Sequence, residues 1–387
     1  MQNNAIIMKI SIIGAGIGGL TTAVALEKEN IDYQIFERFS EFKAVGAGIW
    51  LAPNALQVYE HLNLLEEVKS KGVSIDRITI GKPDFSPILD NSQDAIKEEF
   101  GYSSISIHRA ELQKLLLKKI PKEKIHLGKS FERFENNSNG KANIFFDDGS
   151  SYETDYLIGA DGINSKVRAQ LFPESKQRYS GQTCWRGVAE THLDEEFDNR
   201  VYELWGNQIR FGISKVLDGK YYWFAVALDK PNQADNSEKT KEKLLTLFND
   251  FNPTVKELIK TTPDFQIVRN DINDLKSMNN WFKNNICLIG DAGHATTPNM
   301  GQGGAQAIED AYYLTHFLKN YSDKNTFRLF QEKRQAKVNS IVKQSWTTGK
   351  MAHWKYGTGF RNFLLKNFPE GLMLKKMIDM YQIEHYE

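Results

Sequence analysis

Apolar residues in the first forty positions come in runs whose period changes twice. Ile10 to Ile13 is a short, almost wholly apolar run, which reads as a strand buried on both faces. It is the end of a stretch that starts at Ile6 and Ile7, carries Lys9 in its middle and runs straight into Gly14-Ala15-Gly16. A secretion signal would need a small-residue cleavage site there and mature sequence independent of the run. Leu20, Ala23, Val24, Ala25 and Leu26 follow with helical character, and Tyr33 to Phe36 reads as a second strand. Strand, helix and strand in about thirty residues predict a βαβ unit, hence a parallel sheet.

Further along, Leu56, Tyr59, Leu62, Leu65 and Val68 stand near helical spacing and predict one amphipathic helix over 54–71. Another helix is predicted after His108, through Leu112, Leu115, Leu116 and Leu117. Residues 141–160 read as a hairpin turning at Asp147-Asp148-Gly149, followed by the strand Tyr156 to Gly159. From 181 to 274 the pattern becomes alternating and aromatic. Thr183–Val188, Val201–Trp205, Ile209–Ile213 and Tyr221–Leu228 predict an antiparallel sheet. A polar run, Pro231 to Lys243, then leads into a helix through Leu244, Leu247 and Phe251.

The strand Ile286–Ile289 and a long helix from about Gly303 restore the α/β pattern. The last sixty residues read as helical, with Trp346, Trp354, Phe360, Phe363, Phe368 and Met373. Interspersed Lys and Arg allow a membrane-surface helix there; large apolar residues at helical spacing more often mark core, here packing across two domains. The fold class expected is α/β. A Rossmann-like domain is assembled from 1–75, 100–180 and 275–330. A second, antiparallel-sheet domain takes 76–99 and 181–274, and 331–387 forms a C-terminal helical segment.

Composition removes several classes of function. Lys plus Arg equals Asp plus Glu at 49 each, so no overall field draws in nucleic acid. No stretch reaches the roughly 20 apolar residues that span a bilayer, and a cytoplasmic location is the expectation. Cys184 and Cys287 stand far apart in strand-like surroundings and read as buried, reduced thiols. No HExxH, HxxxH or cysteine cluster offers a metal site.

The strongest chemical signal is Gly14-Ala15-Gly16-Ile17-Gly18-Gly19 between strand and helix. Gly14 permits the tight turn, Gly16 lets a pyrophosphate approach the backbone, and Gly19 lets helix pack on strand. Free amides near Gly18 and Gly19, with the helix dipole behind them, would face the phosphates. Glu37 ends the next strand, where its carboxylate can bind both ribose hydroxyls of an adenosine. Arg38 would lie near that adenosine or simply be a surface arginine. These features specify a dinucleotide but do not separate NAD from FAD.

Two later stretches do. Tyr156-Leu157-Ile158-Gly159-Ala160-Asp161-Gly162-Ile163-Asn164-Ser165-Lys166-Val167-Arg168 resembles the DG segment of the class A flavoprotein monooxygenases. Gly290-Asp291-Ala292-Gly293-His294-Ala295-Thr296-Thr297-Pro298-Asn299-Met300-Gly301-Gln302-Gly303-Gly304 resembles their GD segment. The likeness spans the chain, through the Gly46–Asn54 segment with Gly48, Arg109 and Glu309-Asp310-Ala311. It points to the para-hydroxybenzoate hydroxylase fold and its salicylate- and tetracycline-type branches.

The resemblance implies an FAD-binding domain, a substrate domain, and NADH or NADPH as a transient reductant. Reduced flavin would form a C4a-hydroperoxide with O2 and hydroxylate a small aromatic substrate. An epoxidase or reductase on the same fold, or a polyketide-modifying enzyme of the tetracycline type, is the alternative. Asp291 would hold a ribityl hydroxyl and Arg109 the pyrophosphate, unless Arg109 is only a solvated helix-start residue. Asp161 would sit where FAD and reductant meet, or serve as a turn residue before glycine.

Gly301, Gly303, Gly304 and Ala305 would open a helix whose amides face the flavin O2/N1 edge. Pro298 would lie over the isoalloxazine, and Ile17 and Gly48 would be among the residues that bind the cofactor. His294 would support the loop rather than act as acid or base. For the substrate, Trp185, Arg210, Phe211, Tyr222, Trp223 and Phe224 are candidates, though alternation sends only half of a strand's side chains inward. Arg210 could hold an anionic substrate or be an exposed strand residue. Ser214-Lys215 stands where salicylate-type relatives carry Tyr-Pro, which weakens a reading as a salicylate enzyme. The partners expected are thus a small aromatic molecule and O2, the chain acting as monomer or homodimer.

Overall fold

A computed structural model describes residues 8–42, 47–138, 140–236, 239–321 and 325–386. Ile6, Ile7 and Gly46 lie outside the described residues. The strand Ile10–Ile13 sits inside a six-stranded sheet, in parallel register with Tyr33–Phe36 on one side and Tyr156–Gly159 on the other. The sheet continues outward to Ile125–Leu127 beyond the former and to Ile286–Leu288 and Phe282–Lys283 beyond the latter. All four residues of the first strand are buried, because Ile10 and Ile12 face the helices Ile17–Lys28 and Gly303–Asn320 while Ile13 faces a three-stranded antiparallel sheet of Phe131–Asn136, Ala142–Phe146 and Ser151–Thr154. The helix Ile17–Lys28 packs on the helix Gly303–Asn320. Gly18 makes that approach possible: a Cβ there would stand 3.1 Å from the Ala307 Cβ.

The second large sheet has seven strands. In spatial order they are Val268–Leu275, Gln177–Glu190, Lys220–Leu228, Ile209–Leu217, Arg200–Trp205, Arg77–Gly81 and Pro87–Ser92. It is antiparallel as expected except at one junction, where Arg200–Leu204 runs parallel to Arg77–Gly81. One face carries Phe211, Trp223, Trp185 and Tyr202, closed by Phe248 and Phe251, which follow the helix Thr240–Leu247, and by Val255 and Leu258 of the helix Pro253–Thr261. The other face looks toward a three-stranded sheet of Gly48–Leu51, Ile105–His108 and Gly72–Ser74.

Two expectations are corrected. The helix predicted over 54–71 is two helices, Pro53–His61 and Leu65–Lys71. Asn63 between them takes a left-handed φ of 57°, which ends a helix and which Asn tolerates better than most residues. The C-terminal aromatics also differ from the reading as core. Trp354, Phe360, Phe363 and Phe368 are exposed on and before the helices Thr358–Lys366 and Glu370–Tyr381. Helical spacing creates an apolar face; it does not supply the element that covers it. The thiols of Cys184 and Cys287 are free and buried, and burial pushes both pKa values up.

Candidate cofactor and substrate site

The glycine turn is shaped by contacts that no side chain would survive. Gly14 has φ of 104°, and a Cβ on it would stand 2.5 Å from the Ala160 carbonyl oxygen. A Cβ on Gly19 would stand 2.0 Å from the Gly14 oxygen, whereas one on Gly16 would meet nothing within 4 Å. Gly16 therefore borders open space at the start of the helix. Ile17 is buried behind it. Glu37 closes the turn: its two carboxylate oxygens accept from the Ala15 amide at 2.8 Å and the Phe39 amide at 3.1 Å. Arg38 is exposed and stacks on Phe39, 4.7 Å from the ring centroid.

The DG and GD segments meet at one end of the same sheet, where Leu157–Gly159 pairs with Ile286–Leu288. Asp161 accepts from the amides of Lys166 and Val167 at the start of a short helix, and its other oxygen is buried without a partner. Burial raises its carboxyl pKa, against the hydrogen bonds from Ser165 and these amides. Arg168 ties the segments together, donating to the Ala292 carbonyl at 3.0 Å and to the Ile163 carbonyl at 2.6 Å. The sequence placed Arg168 in the motif, but nothing in it signalled a bridge.

Asp291 opens a one-turn helix, and its carboxylate has no hydrogen-bond partner among the described residues. Its surface is open to the groove while protein surrounds it on the other sides. That enclosure raises its carboxyl pKa, and His294, Arg109 and Arg168 pull it the other way. Arg109, first in the helix Arg109–Leu117, is exposed on the same groove. A Cβ on Gly303 would stand 3.9 Å from Asp291 Oδ1, and one on Gly304 would stand 2.8 Å from Ile49. Ala305 is buried, Pro298 is exposed, and Gly301 bends the chain at φ of 64° below the Trp50 ring.

Behind the loop lies a buried ionic network that the sequence did not reveal. Asp310 accepts from the Gly290 amide at 2.8 Å, faces His294 Nε2 at 2.6 Å and pairs with Arg334 Nε at 2.9 Å. Arg334 also pairs with Glu309, which is held in addition by Lys337 at 2.6 Å and Asn54 at 2.8 Å. His294 thus faces a buried carboxylate of the network.

The substrate candidates separate by strand parity. Phe211 and Trp223 lie on the helix-covered face, stacked at 5.4 Å, with Trp223 Nε1 donating to Thr262. Trp185 is on that face too. All three therefore belong to the core on the helix-covered side, and the expectation that they line a substrate pocket is corrected, because that face is filled by Phe248, Phe251, Val255 and Leu258. Tyr222 and Phe224 occupy the opposite face. A Cβ on Gly48 would stand 2.6 Å from the Tyr222 ring, and one on Gly212 would stand 2.0 Å from the Phe224 ring. Trp50 meets Phe224 edge-on at 6.4 Å and donates from Nε1 to Ser214 Oγ at 3.1 Å. Sequence reasoning passed over Trp50, although it stands inside the Gly46–Asn54 motif.

Arg210 shares this face but is 2% exposed. It pairs with Glu203 at 2.9 Å and donates to Asn299 of the GD segment. Its charge is therefore balanced, and it joins the large sheet to the loop. Trp50→Phe is expected to cost about 1 kcal/mol of stability, the net worth of the indole–Ser214 hydrogen bond. Urea unfolding that leaves the midpoint unmoved would show that bond to be worth nothing.

A family model described as an FAD binding domain matches residues 8–345. Aurachin C monooxygenase/isomerase of Stigmatella aurantiaca is 36% identical over 351 residues, 90% of each chain. The 2-heptyl-3-hydroxy-4(1H)-quinolone synthase of Pseudomonas aeruginosa is 31% identical over 370 residues, 94% of each chain. Among solved structures, Klebsiella pneumoniae HpxO complexed with FAD and uric acid superposes with a TM-score of 0.89 at 28% identity, covering 97% of this chain and 96% of that one.

Proposed function

The chain belongs to the class A FAD-dependent monooxygenases, and on that premise we propose that it hydroxylates a flat, nitrogen-containing bicyclic ring of the 4-quinolone type, using NADH or NADPH and O2. The observation that carries this reading is the pairing of an aromatic wall with a neutralised arginine. Trp50, Tyr222 and Phe224 offer ring faces and edges, which favour a planar aromatic guest. Glu203 holds Arg210, so that guanidinium is not free to clamp a carboxylate in the bidentate way a benzoate-type substrate would use. The relative named for a 2-heptyl-3-hydroxy-4(1H)-quinolone supports the ring class.

The residues present fit FAD. Gly16 borders open space, one Asp161 oxygen is buried and unpaired, and the Asp291 carboxylate faces the groove without a partner. When bound, FAD would supply the redox chemistry, taking two electrons from the nicotinamide and passing them to O2, so that one oxygen atom goes to the substrate and the other leaves as water. Gly14, Gly16, Gly18 and Gly19 would hold the pyrophosphate at the helix start, with Arg109 neutralising charge. Glu37 and Arg38 would flank the adenosine. Asp291 would accept from a ribityl hydroxyl.

The amides from Gly301 to Ala305, opening the helix Gly303–Asn320, would hold developing negative charge. Pro298 and the Ile49–Trp50 edge would shape the reaction side, and Gly48 lets Tyr222 sit close. The aromatic wall would exclude water from the reacting carbon. Ser214, fixed between Trp50 and Ser106, would offer its hydroxyl to a ring carbonyl or N–H.

Substrate-stimulated NADH and NADPH oxidation, with oxygen from labelled O2 followed into product, tests the reading. 4-Quinolones should accelerate turnover over salicylate by on the order of tenfold or more, about 1.4 kcal/mol of differential binding. Stimulation by salicylate and not by quinolones would overturn the substrate class. Label absent from every product would overturn hydroxylation itself.

A further inference from the structure

Seven of the thirteen exposed large apolar side chains among the described residues lie between Trp354 and Leu372. Their placement follows from how the helix Thr358–Lys366 is seated. Arg361 and Leu365 turn inward: Arg361 donates to the Ala352 carbonyl at 3.0 Å and stacks on Trp205 at 4.8 Å, while Leu365 packs with Trp205 and Ile88. The opposite stripe carries Phe360, Phe363 and Leu364 at i, i+3 and i+4. These are 63%, 61% and 48% exposed. Tyr356 before the helix is 78% exposed, and Phe368 and Leu372 after it extend the patch onto the next helix. A contiguous apolar surface of this kind, on a chain with an ordinary core, marks a contact with something else.

Charge decides what that something is. The chain as a whole is neutral, yet within 354–376 the exposed ionic side chains are Lys355, Lys366, Lys375 and Lys376 against the single carboxylate Glu370. Lys376 lies over Phe368 at 5.4 Å and Lys355 over Tyr356 at 5.2 Å, so the cations rim the apolar stripe itself. Aromatic and aliphatic residues on one side of a helix, with lysines at its border, match an anionic lipid surface: rings enter the headgroup layer while ammonium groups meet phosphates. A second copy fits worse, because two-fold docking of the patch on itself would set lysines against lysines. Among the described residues no helix is long and apolar enough to cross a membrane.

We infer that the segment Trp354–Lys376 docks the enzyme peripherally on an anionic bilayer, with the helix Thr358–Lys366 lying in the interface plane. The docked helix rests on Trp205, whose Nε1 donates to Glu203, the partner of Arg210. The lipid contact is thereby placed at one end of the sheet that carries the substrate wall. Nothing in this depends on which ring the enzyme oxidises.

The test uses the FAD-loaded full chain with sedimented vesicles of phosphatidylcholine alone and of phosphatidylcholine mixed with phosphatidylglycerol, at low and high salt. Binding is expected to the mixed vesicles and to fall with salt. Each lysine near the surface is worth about fivefold in binding, so Lys366→Glu/Lys375→Glu/Lys376→Glu should weaken it on the order of hundredfold. Phe360→Ser/Phe363→Ser should also release the protein. Both variants should keep their flavin absorbance and melting temperature, since none of these side chains touches the core or the cofactor groove. No binding to the mixed vesicles, or equal binding to both compositions, would overturn the inference. So would a dimer in sedimentation velocity that Phe360→Ser/Phe363→Ser dissolves.

Discussion

Arg334→Met should destabilise the protein by about 3–5 kcal/mol, the usual cost of leaving a buried ion without its partner. Arg334, Glu309 and Asp310 are all essentially inaccessible to solvent. Methionine matches the length of the arginine stem but offers no donor, so two carboxylates would lose the cation between them. Lys337 and Asn54 would still reach Glu309, and His294 and the Gly290 amide would still reach Asp310. The damage should therefore be large but short of complete unfolding.

The same network predicts a pH dependence. Burial alone would raise the Asp310 carboxyl, but His294 and Arg334 outweigh it and hold its pKa at about 2. A depressed carboxyl stabilises the fold above its unfolded pKa of about 3.9, and that stability is lost as pH falls toward 2. Two units of depression correspond to roughly 2–3 kcal/mol. Denaturant unfolding between pH 2 and pH 7 should show this loss in the parent and a shallower one in Asp310→Asn. A change below about 1 kcal/mol for Arg334→Met would sink the claim that buried charges hold this loop.

Asp291→Ala should yield largely colourless protein, because the carboxylate that would accept from the cofactor is gone. A hydrogen bond to a charged group contributes about 1.5–3 kcal/mol, so FAD affinity should fall roughly ten- to hundredfold. Stability without cofactor should move the opposite way. Enclosure raises the Asp291 carboxyl, which means the folded chain is destabilised by its ionised form as pH rises through the carboxylate range. Removing that charge should raise the melting temperature of the flavin-free protein at pH 7 while lowering flavin content. Full retention of yellow FAD would remove the assigned role; an unstable apoprotein would contradict the electrostatic argument. The pair of readouts separates a lost ligand from a damaged fold.

Much of this site is legible in the chain because it is local. The turn at Gly14-Ala15-Gly16 needs glycine for reasons of backbone geometry confined to a few residues, and the period change on either side gives strand and helix without any tertiary information. The DG and GD segments are contiguous motifs of the same kind, and the hairpin at Asp148-Gly149 is a turn signal that acts within four residues. These features determined the α/β class, the dinucleotide fingerprint and the flavin family.

What lay beyond reach concerns which face meets what. Alternation along Ile209–Leu217 and Lys220–Leu228 says that Phe211 and Phe224 can fall on different faces, but not which face two short helices will cover. Helical spacing likewise makes Phe360 and Phe363 neighbours while leaving open whether anything packs on them. Arg334 finds Asp310 across 24 positions and Arg210 finds Asn299 across 89, pairings that exist only after separate elements dock. Local backbone preference is a property of neighbouring residues and can be read in order. Burial and charge pairing belong to surfaces brought together by the fold, and only the tertiary structure decided them.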